Sequence, residues 1–171
     1  MRGAENTRAI ALTGATVEMV AHGIITGALF LICGSIFERA GTYEVGAFGG
    51  LAGRAPVLTG ATTVAAFASL GLPGLAGFAA ELQVFVGTFA VYPWLAAVGL
   101  LGLIVTATLF LQLLQRVFLG DLPARWADWH DLSAVEIASL GALLVLVVAT
   151  GIAPASLLAV IDAGVRPIVG R

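Results

Sequence analysis

The chain has 171 residues, 60% of them hydrophobic and 11% charged, with mean hydropathy +1.05 and a formal net charge of −2. Soluble domains carry about 25% charged residues, so this composition argues for an integral membrane protein. Eight arginines against ten carboxylates leave no basic stripe for nucleic acid, and a single cysteine, Cys33, excludes disulfide scaffolds and thiolate metal clusters.

The N-terminal stretch MRGAENTRAIALTGATVEMV lacks a signal-peptide pattern, because Thr13, Thr16 and Glu18 interrupt its apolar residues. The first predicted span runs from about residue 16 to 37. Gly23, Gly27 and Gly34 within it are small positions of the kind that let helices approach closely. Cys33 is expected to be buried there as a small hydrophobe, and Glu38, Arg39 and Glu44 close the span.

After a loop, Pro56 suits the first turn of a helix. Residues 57–92 are apolar except for GLPGLAGFAAE at 71–81, where Gly71, Pro73, Gly74 and Gly77 are followed by Glu81. A single helix over 57–92 would be overlong, so the economical expectation is one crossing made of two half-helices, broken at 71–74. A third span is predicted over 94–118, with Tyr92 and Trp94 at an interfacial belt and Arg116 snorkelling at the far end.

The polar loop GDLPARWADWHDLS then places Trp126 and Trp129 at headgroup level and its aspartates Asp121, Asp128 and Asp131 on a solvated face. A fourth span is predicted over 133–150, opened by Ser133 and Glu136 in capping-box spacing. The tail, 151–171, reads as a short interfacial helix. The fold class is thus all-α, with about four transmembrane crossings, one of them a discontinuous helix, in a single transmembrane region over 1–171. Charge does not orient it: Arg39, Arg54, Arg116 and Arg125 on one side balance Arg2, Arg8, Arg166 and Arg171 on the other.

Three residues stand out as candidate chemistry. An intramembrane carboxylate costs about 2.5 kcal/mol or more and marks function by default, which singles out Glu81. Desolvation favours its neutral form, while the free N–H groups of a helix start favour its charged form. That balance suits proton uptake and release, and a fixed interhelical brace is the plainer alternative. His22 suits proton shuttling or a helix–helix hydrogen bond. Glu18 lies one turn before it, either tuning His22 or facing headgroups. Metal and cofactor motifs are absent: FGGLAGRAP lacks the spacing of a dinucleotide loop.

MVAHGIITGALFLICGSIFERAGT (19–42), GGLAGRAP (49–56), ASLGLPGLAGFAAE (68–81), LQRVFLGD (114–121) and DLSAVE (131–136) together resemble one family. It is subunit M of bacterial NADH–quinone oxidoreductase, called subunit 4 in mitochondria, an antiporter-like membrane subunit of respiratory complex I. The ER-x-x-T ending and the glutamate after LPG-x-x-x-F fit subunit M better than its sisters, one of which carries lysine there.

The resemblance runs from about residue 14 to 154 and implies the C-terminal portion of a protein of about fourteen crossings, with GLPG at the break of the twelfth. It implies that Met1 is an internal or misassigned start, or that the chain is half of a split product. It gives Glu81 the role of terminal proton-path glutamate and His22 a place on the central polar axis. Two departures are Ala80, where glycine is common, and Glu18, where glutamine is common.

The resemblance also implies loops around Arg39 and Arg116 in the cytoplasm, in a bacterial inner (plasma) membrane. Partners would be protons, the lipid bilayer and other complex I membrane subunits, including antiporter-like neighbours, with no nucleic acid. NADH, FMN, iron–sulfur clusters and quinone would belong to partner subunits, and this chain would hold no redox centre. The function implied is proton translocation coupled to quinone reduction. A subunit of a multisubunit cation/proton antiporter and a non-transporting membrane scaffold are the alternatives.

Overall fold

The computed structural model describes residues 2–169, with side chains from residue 5 onward. Met1, Gly170 and Arg171 lie outside the described residues, so the proposed start and one counterbalancing arginine have no structural counterpart here. The described chain is all-α: α1 (Arg2–Ala40), α2 (Pro56–Ser69), α3 (Ala76–Val91), α4 (Pro93–Phe118), α5 (Ala134–Ile152) and α6 (Ala155–Val169), with short 3₁₀ turns in the loops. Three helices, within Glu5–Ala40, Pro93–Phe118 and Ala134–Ile152, are long and apolar enough to cross a membrane. Their outward residues are large and apolar. Along α4 alone Leu95, Val98, Leu101, Ile104, Val105 and Leu109 are all exposed, a surface suited to lipid rather than water.

The first helix is longer than its predicted span. No proline precedes Pro56, so nothing stops α1 before Gly41, whose φ of +67° ends it. There the Gly41 N–H donates to the Phe37 carbonyl at 2.7 Å. The 39 residues of α1 extend about 58 Å at 1.5 Å per residue, and the other helices are laid along this axis.

Antiparallel packing is read from residues that meet. Gly87 lies against Ala11, and Gln83 and Val84 against Gly14, so α3 runs back along the N-terminal half of α1. Leu143 lies near Gly27, and Glu136 binds Arg39, so α5 runs back along the C-terminal half. Beyond it α6 continues in the same sense: Asp162 meets Thr13, and Leu157 shares a small cavity with Val20 and Ala21. The predicted tail is therefore a helix packed on α1.

The closest helix approach differs from the expectation. A Cβ added at Gly23 or Gly34 would meet nothing within 4 Å, and one at Gly27 only Leu143 at 3.7 Å. Tight contact lies instead at Gly14 and Gly87. A Cβ on Gly14 would stand 2.8 Å from the Val84 nitrogen, and one on Gly87 would stand 2.8 Å from the Ala11 nitrogen. Small residues at helical spacing, Ala11 and Gly14 facing Ala80 and Gly87, were the available signal.

Cys33 is exposed rather than buried. It borders an apolar cavity of about 130 Å³ with Leu29, Ile36, Tyr43 and Leu113. In a membrane protein an apolar side chain has no need of the interior, which is why hydrophobicity alone misplaced it.

The loops at the Arg39 end form a second core. Leu51, Leu58, Val117, Phe118, Trp129 and Leu132 are buried together there. Gly50, at φ +61°, lets residues 119–122 pass at backbone distance: its N–H donates to the Leu119 carbonyl at 3.0 Å, and an added Cβ would lie 2.7 Å from the Gly120 oxygen. That accounts for Gly49-Gly50 in the motif GGLAGRAP.

Trp126 donates its indole N–H to the Ala47 carbonyl at 2.8 Å and packs edge-to-face on the buried Trp129. Trp129 is thus a core residue. Asp131 is half-buried and does more than mark a solvated face. Its carboxylate accepts the N–H groups of Val57 at 2.8 Å and Leu58 at 3.0 Å, capping α2. The N-cap residue itself, Ala55, has no side chain that can do this.

Candidate functional site

Between α2 and α3 the chain makes two defined turns. The Leu72 N–H donates to the Phe67 carbonyl at 3.1 Å and the Gly71 N–H to Ala68 at 3.3 Å, a Schellman ending with Gly71 at φ +61°. Next, Leu75 N–H donates to the Leu72 carbonyl at 3.0 Å across Pro73 and Gly74, the latter at φ +92°. Proline followed by a positive-φ glycine is the signature of a type II turn. The two helices it joins have 14 and 16 residues, about 21 and 24 Å, each short of a hydrocarbon core of about 30 Å.

The break is sheltered by the end of α5. A Cβ on Gly151 would overlap the backbone of Gly74 and Leu75. Ala21, Ile25, Ala68, Ala76 and Val147 form a buried cluster at the same level. Irregular backbone is thereby covered by protein, which is the condition for having it at membrane depth.

Glu81 occupies the second turn of α3 and folds back toward the break, as helical side chains do. A Cβ at Gly71 would fall on the carboxylate oxygens, and one at Gly77 would lie 3.7 Å from Oε1. Gly71 therefore makes the turn and also leaves the volume that the carboxylate fills, while Gly77 lets α3 pass the Ala68 carbonyl, which its Cβ would meet at 2.6 Å. Gly71→Ala should cost about 1 kcal/mol for its left-handed backbone alone, and it should also displace the Glu81 side chain. Thermal unfolding of the variant, with Gly74→Ala as the comparison that strains φ without meeting the carboxylate, separates the two effects.

Glu18 is on the α1 face that meets α3, one turn beyond Gly14. One of its oxygens, Oε2, is buried and has no hydrogen-bond partner. Its charge interacts with His22 on α1 and with Glu81 on α3. By the antiparallel register of α1 and α3, Glu18 lies opposite the turn of α3 that carries Ala80 and Glu81, one turn before His22. The His22 side chain is exposed on this chain, while its carbonyl accepts the Thr26 hydroxyl at 2.6 Å. Ala80 is fully buried, with its carbonyl toward Gly14. Among the described residues no group of three His, Cys, Asp or Glu side chains is gathered as a metal site.

A second polar cluster holds the opposite end. Arg39 uses all five of its N–H donors. Nε donates to the His130 carbonyl (2.9 Å), Nη1 to the Ser35 carbonyl and Glu136 Oε1 (both 2.8 Å), and Nη2 to the Asp131 carbonyl (3.0 Å) and Glu136 Oε2 (2.7 Å). Glu136 also completes the predicted capping box, its Oε2 accepting the Ser133 N–H at 2.7 Å. One guanidinium thereby joins the end of α1 to the start of α5.

The comparisons fit this architecture. The family model described as NADH:quinone oxidoreductase/Mrp antiporter, TM, matches residues 1–109, more than half of the chain. The chain belongs to this family. Subunit M of the NADH-quinone oxidoreductase of Rickettsia prowazekii (strain Madrid E) is 35% identical over 158 residues, 92% of this chain and 32% of the relative.

Among solved structures, a chain of respiratory complex I from Thermus thermophilus with bound NADH superposes with TM-score 0.85 at 30% identity, covering 96% of this chain and 35% of that one. A chain of the membrane-bound sulfane sulfur reductase, an archaeal respiratory membrane complex, gives 0.80 at 28%, covering 85% and 24%. The chain spans about a third of the length of the curated relatives it matches. As a member of the NADH:quinone oxidoreductase/Mrp antiporter family it is a multi-pass, antiporter-like membrane protein.

Proposed function

We propose that the chain works as the C-terminal portion of a proton-translocating subunit of an NADH–quinone oxidoreductase in a bacterial inner membrane. Here α2 and α3 form one discontinuous crossing, and Glu81 takes up and releases the translocated proton. The observation that carries this reading is the seat of Glu81: a carboxylate folded over the junction of two half-length helices, in the space that Gly71 leaves by having no side chain.

Proton exchange needs little motion there, because the group lies beside irregular backbone rather than inside a continuous helix. His22 and Glu18 extend the polar line from Glu81 along α1. Electron transfer, with its NADH, FMN, iron–sulfur clusters and quinone, belongs on this reading to partner subunits. Change at the quinone site would reach Glu81 through the membrane subunits beside it.

A related reading, a subunit of a multisubunit cation/proton antiporter, is favoured by the breadth of the matched family, whose description includes the Mrp antiporter. Neighbouring genes for nicotinamide- and cluster-binding proteins separate the two.

The test is Glu81→Gln in the assembled complex, with protons pumped per electron measured in sealed vesicles. A clear fall in that ratio, with quinone reduction continuing, is expected. An unchanged ratio would sink the assignment.

A further inference from the structure

We propose that Glu18 is a second proton-binding group of this path: across the α1–α3 contact it forms a coupled pair with Glu81, and the pair carries one proton in place of two negative charges. The proposal rests on the reading of Glu81 as a proton-path residue and deepens it. Glu18 moves from a tuner of His22 to a partner of Glu81.

The geometry begins with the glycines. Gly14 and Gly87 bring α1 and α3 to backbone contact, and antiparallel register then sets the turn after Gly14 opposite residues near Ala80 and Glu81. Glu18 is on that turn. Its Oε2 is buried and receives no hydrogen bond, an expensive state for a carboxylate oxygen. Glu81 and Glu18 interact as like charges.

Among the described residues neither carboxylate is in an arginine ion pair; on α1 itself Arg8 lies ten residues before Glu18, about 15 Å along the helix. The only titratable group on α3 is Glu81, and α2 has none. The one charged residue of α4 is Arg116, in its last turn. That of α5 is Glu136, held by Arg39 at the far end, and those of α6 are Asp162 and Arg166, paired with each other beside Thr13. His22, on the next turn of α1, interacts with Glu18. Two carboxylates with no fixed cation are relieved by a single shared proton, as in other like-charge carboxylate pairs. A proton arriving along α1 from His22 would then reach Glu81 through Glu18.

The test uses the assembled complex in native membranes and dicyclohexylcarbodiimide, which attaches to protonated carboxyls in apolar surroundings, with modification of the Glu81 peptide read by mass spectrometry across a pH series. Removing the negative neighbour lets Glu81 ionise more readily. In Glu18→Gln the pH at which modification falls by half should therefore move to the acid side by about one unit. Glu18→Asp, which keeps the charge, should retain the unsubstituted profile.

Superimposable profiles for Glu18→Gln and the unsubstituted protein would overturn the pairing, as would an equal shift in Glu18→Asp. Reading modification on assembled complex alone keeps the result independent of any loss of yield. The pumping of Glu81→Gln judges the underlying reading separately, so failure of the pair and failure of the path are distinguishable.

Discussion

Arg39→Ala should destabilise the detergent-solubilised protein by about 3 kcal/mol, the lower end of the cost of removing one partner from a buried ion pair. The low end applies because Arg39 and Glu136 keep 19% and 20% of their side-chain surface exposed. The loss is larger than that of a surface salt bridge, about 0–1 kcal/mol, because five acceptor contacts disappear together. Three of these are backbone carbonyls, of Ser35, His130 and Asp131, and Glu136 loses its only cationic partner among the described residues.

Arg39→Lys should recover less than half of this. An ammonium has three donors and cannot match a carboxylate in the two-point geometry of a guanidinium. Thermal unfolding of the three proteins measures the order. If alanine and arginine forms melted together, the junction between α1 and α5 would have to be held by the apolar core alone.

Gly87→Val has the next largest expected effect. Replacing a mid-helix glycine ordinarily gains up to about 1 kcal/mol of helix propensity, and valine keeps part of it. Against this stands overpacking, typically about 1–3 kcal/mol. Here the obstacle is backbone, with the Ala11 nitrogen at 2.8 Å and Cα at 2.9 Å from the new Cβ, so no rotamer change relieves it. Overpacking wins, and a net loss of about 2 kcal/mol is expected. Gly34→Val, at a position with nothing within 4 Å, should be close to neutral. Comparing the two melting temperatures checks the packing register. Separation of α1 from α3 also moves Glu18 away from Glu81, so Gly87→Val should impair pumping while leaving both carboxylates present.

Much of the fold was legible in the sequence. Pro56 opens α2 and Ser133 with Glu136 caps α5, as read from the sequence, whereas α1 ends at Gly41 rather than at the charges expected to close it. What escaped depends on distance along the chain. The partners of Arg39 outside α1 are 91 to 97 residues away, and Val57, whose N–H Asp131 accepts, is 74 residues before it, so local pattern carried neither contact. Cys33 was misplaced for a different reason. In a membrane protein hydrophobicity does not distinguish the lipid-facing surface from the interior, so a cysteine expected in the core is outside.

The site divides in the same way. Gly71, Pro73 and Gly74 announced the turn, and Glu81 announced itself by its cost. The sequence did not show that Gly71 leaves the volume into which the carboxylate folds, or that Gly77 lets α3 pass the Ala68 carbonyl, because both depend on how α3 meets the end of α2. Nor did it show Glu18 facing α3, which depends on the register set by Gly14 and Gly87.

On the proposed function α2 and α3 form a single crossing interrupted beside Glu81. The most direct measurement of this is side-specific labelling in sealed vesicles. With Cys33 replaced by serine, a cysteine introduced at Arg54 and another at Tyr92, both exposed and on opposite sides of the α2–α3 pair, are treated with a membrane-impermeant thiol reagent. Arg54→Cys and Tyr92→Cys should react from opposite faces of the membrane. Reaction of both from the same face would make α2 and α3 a re-entrant hairpin and contradict the account.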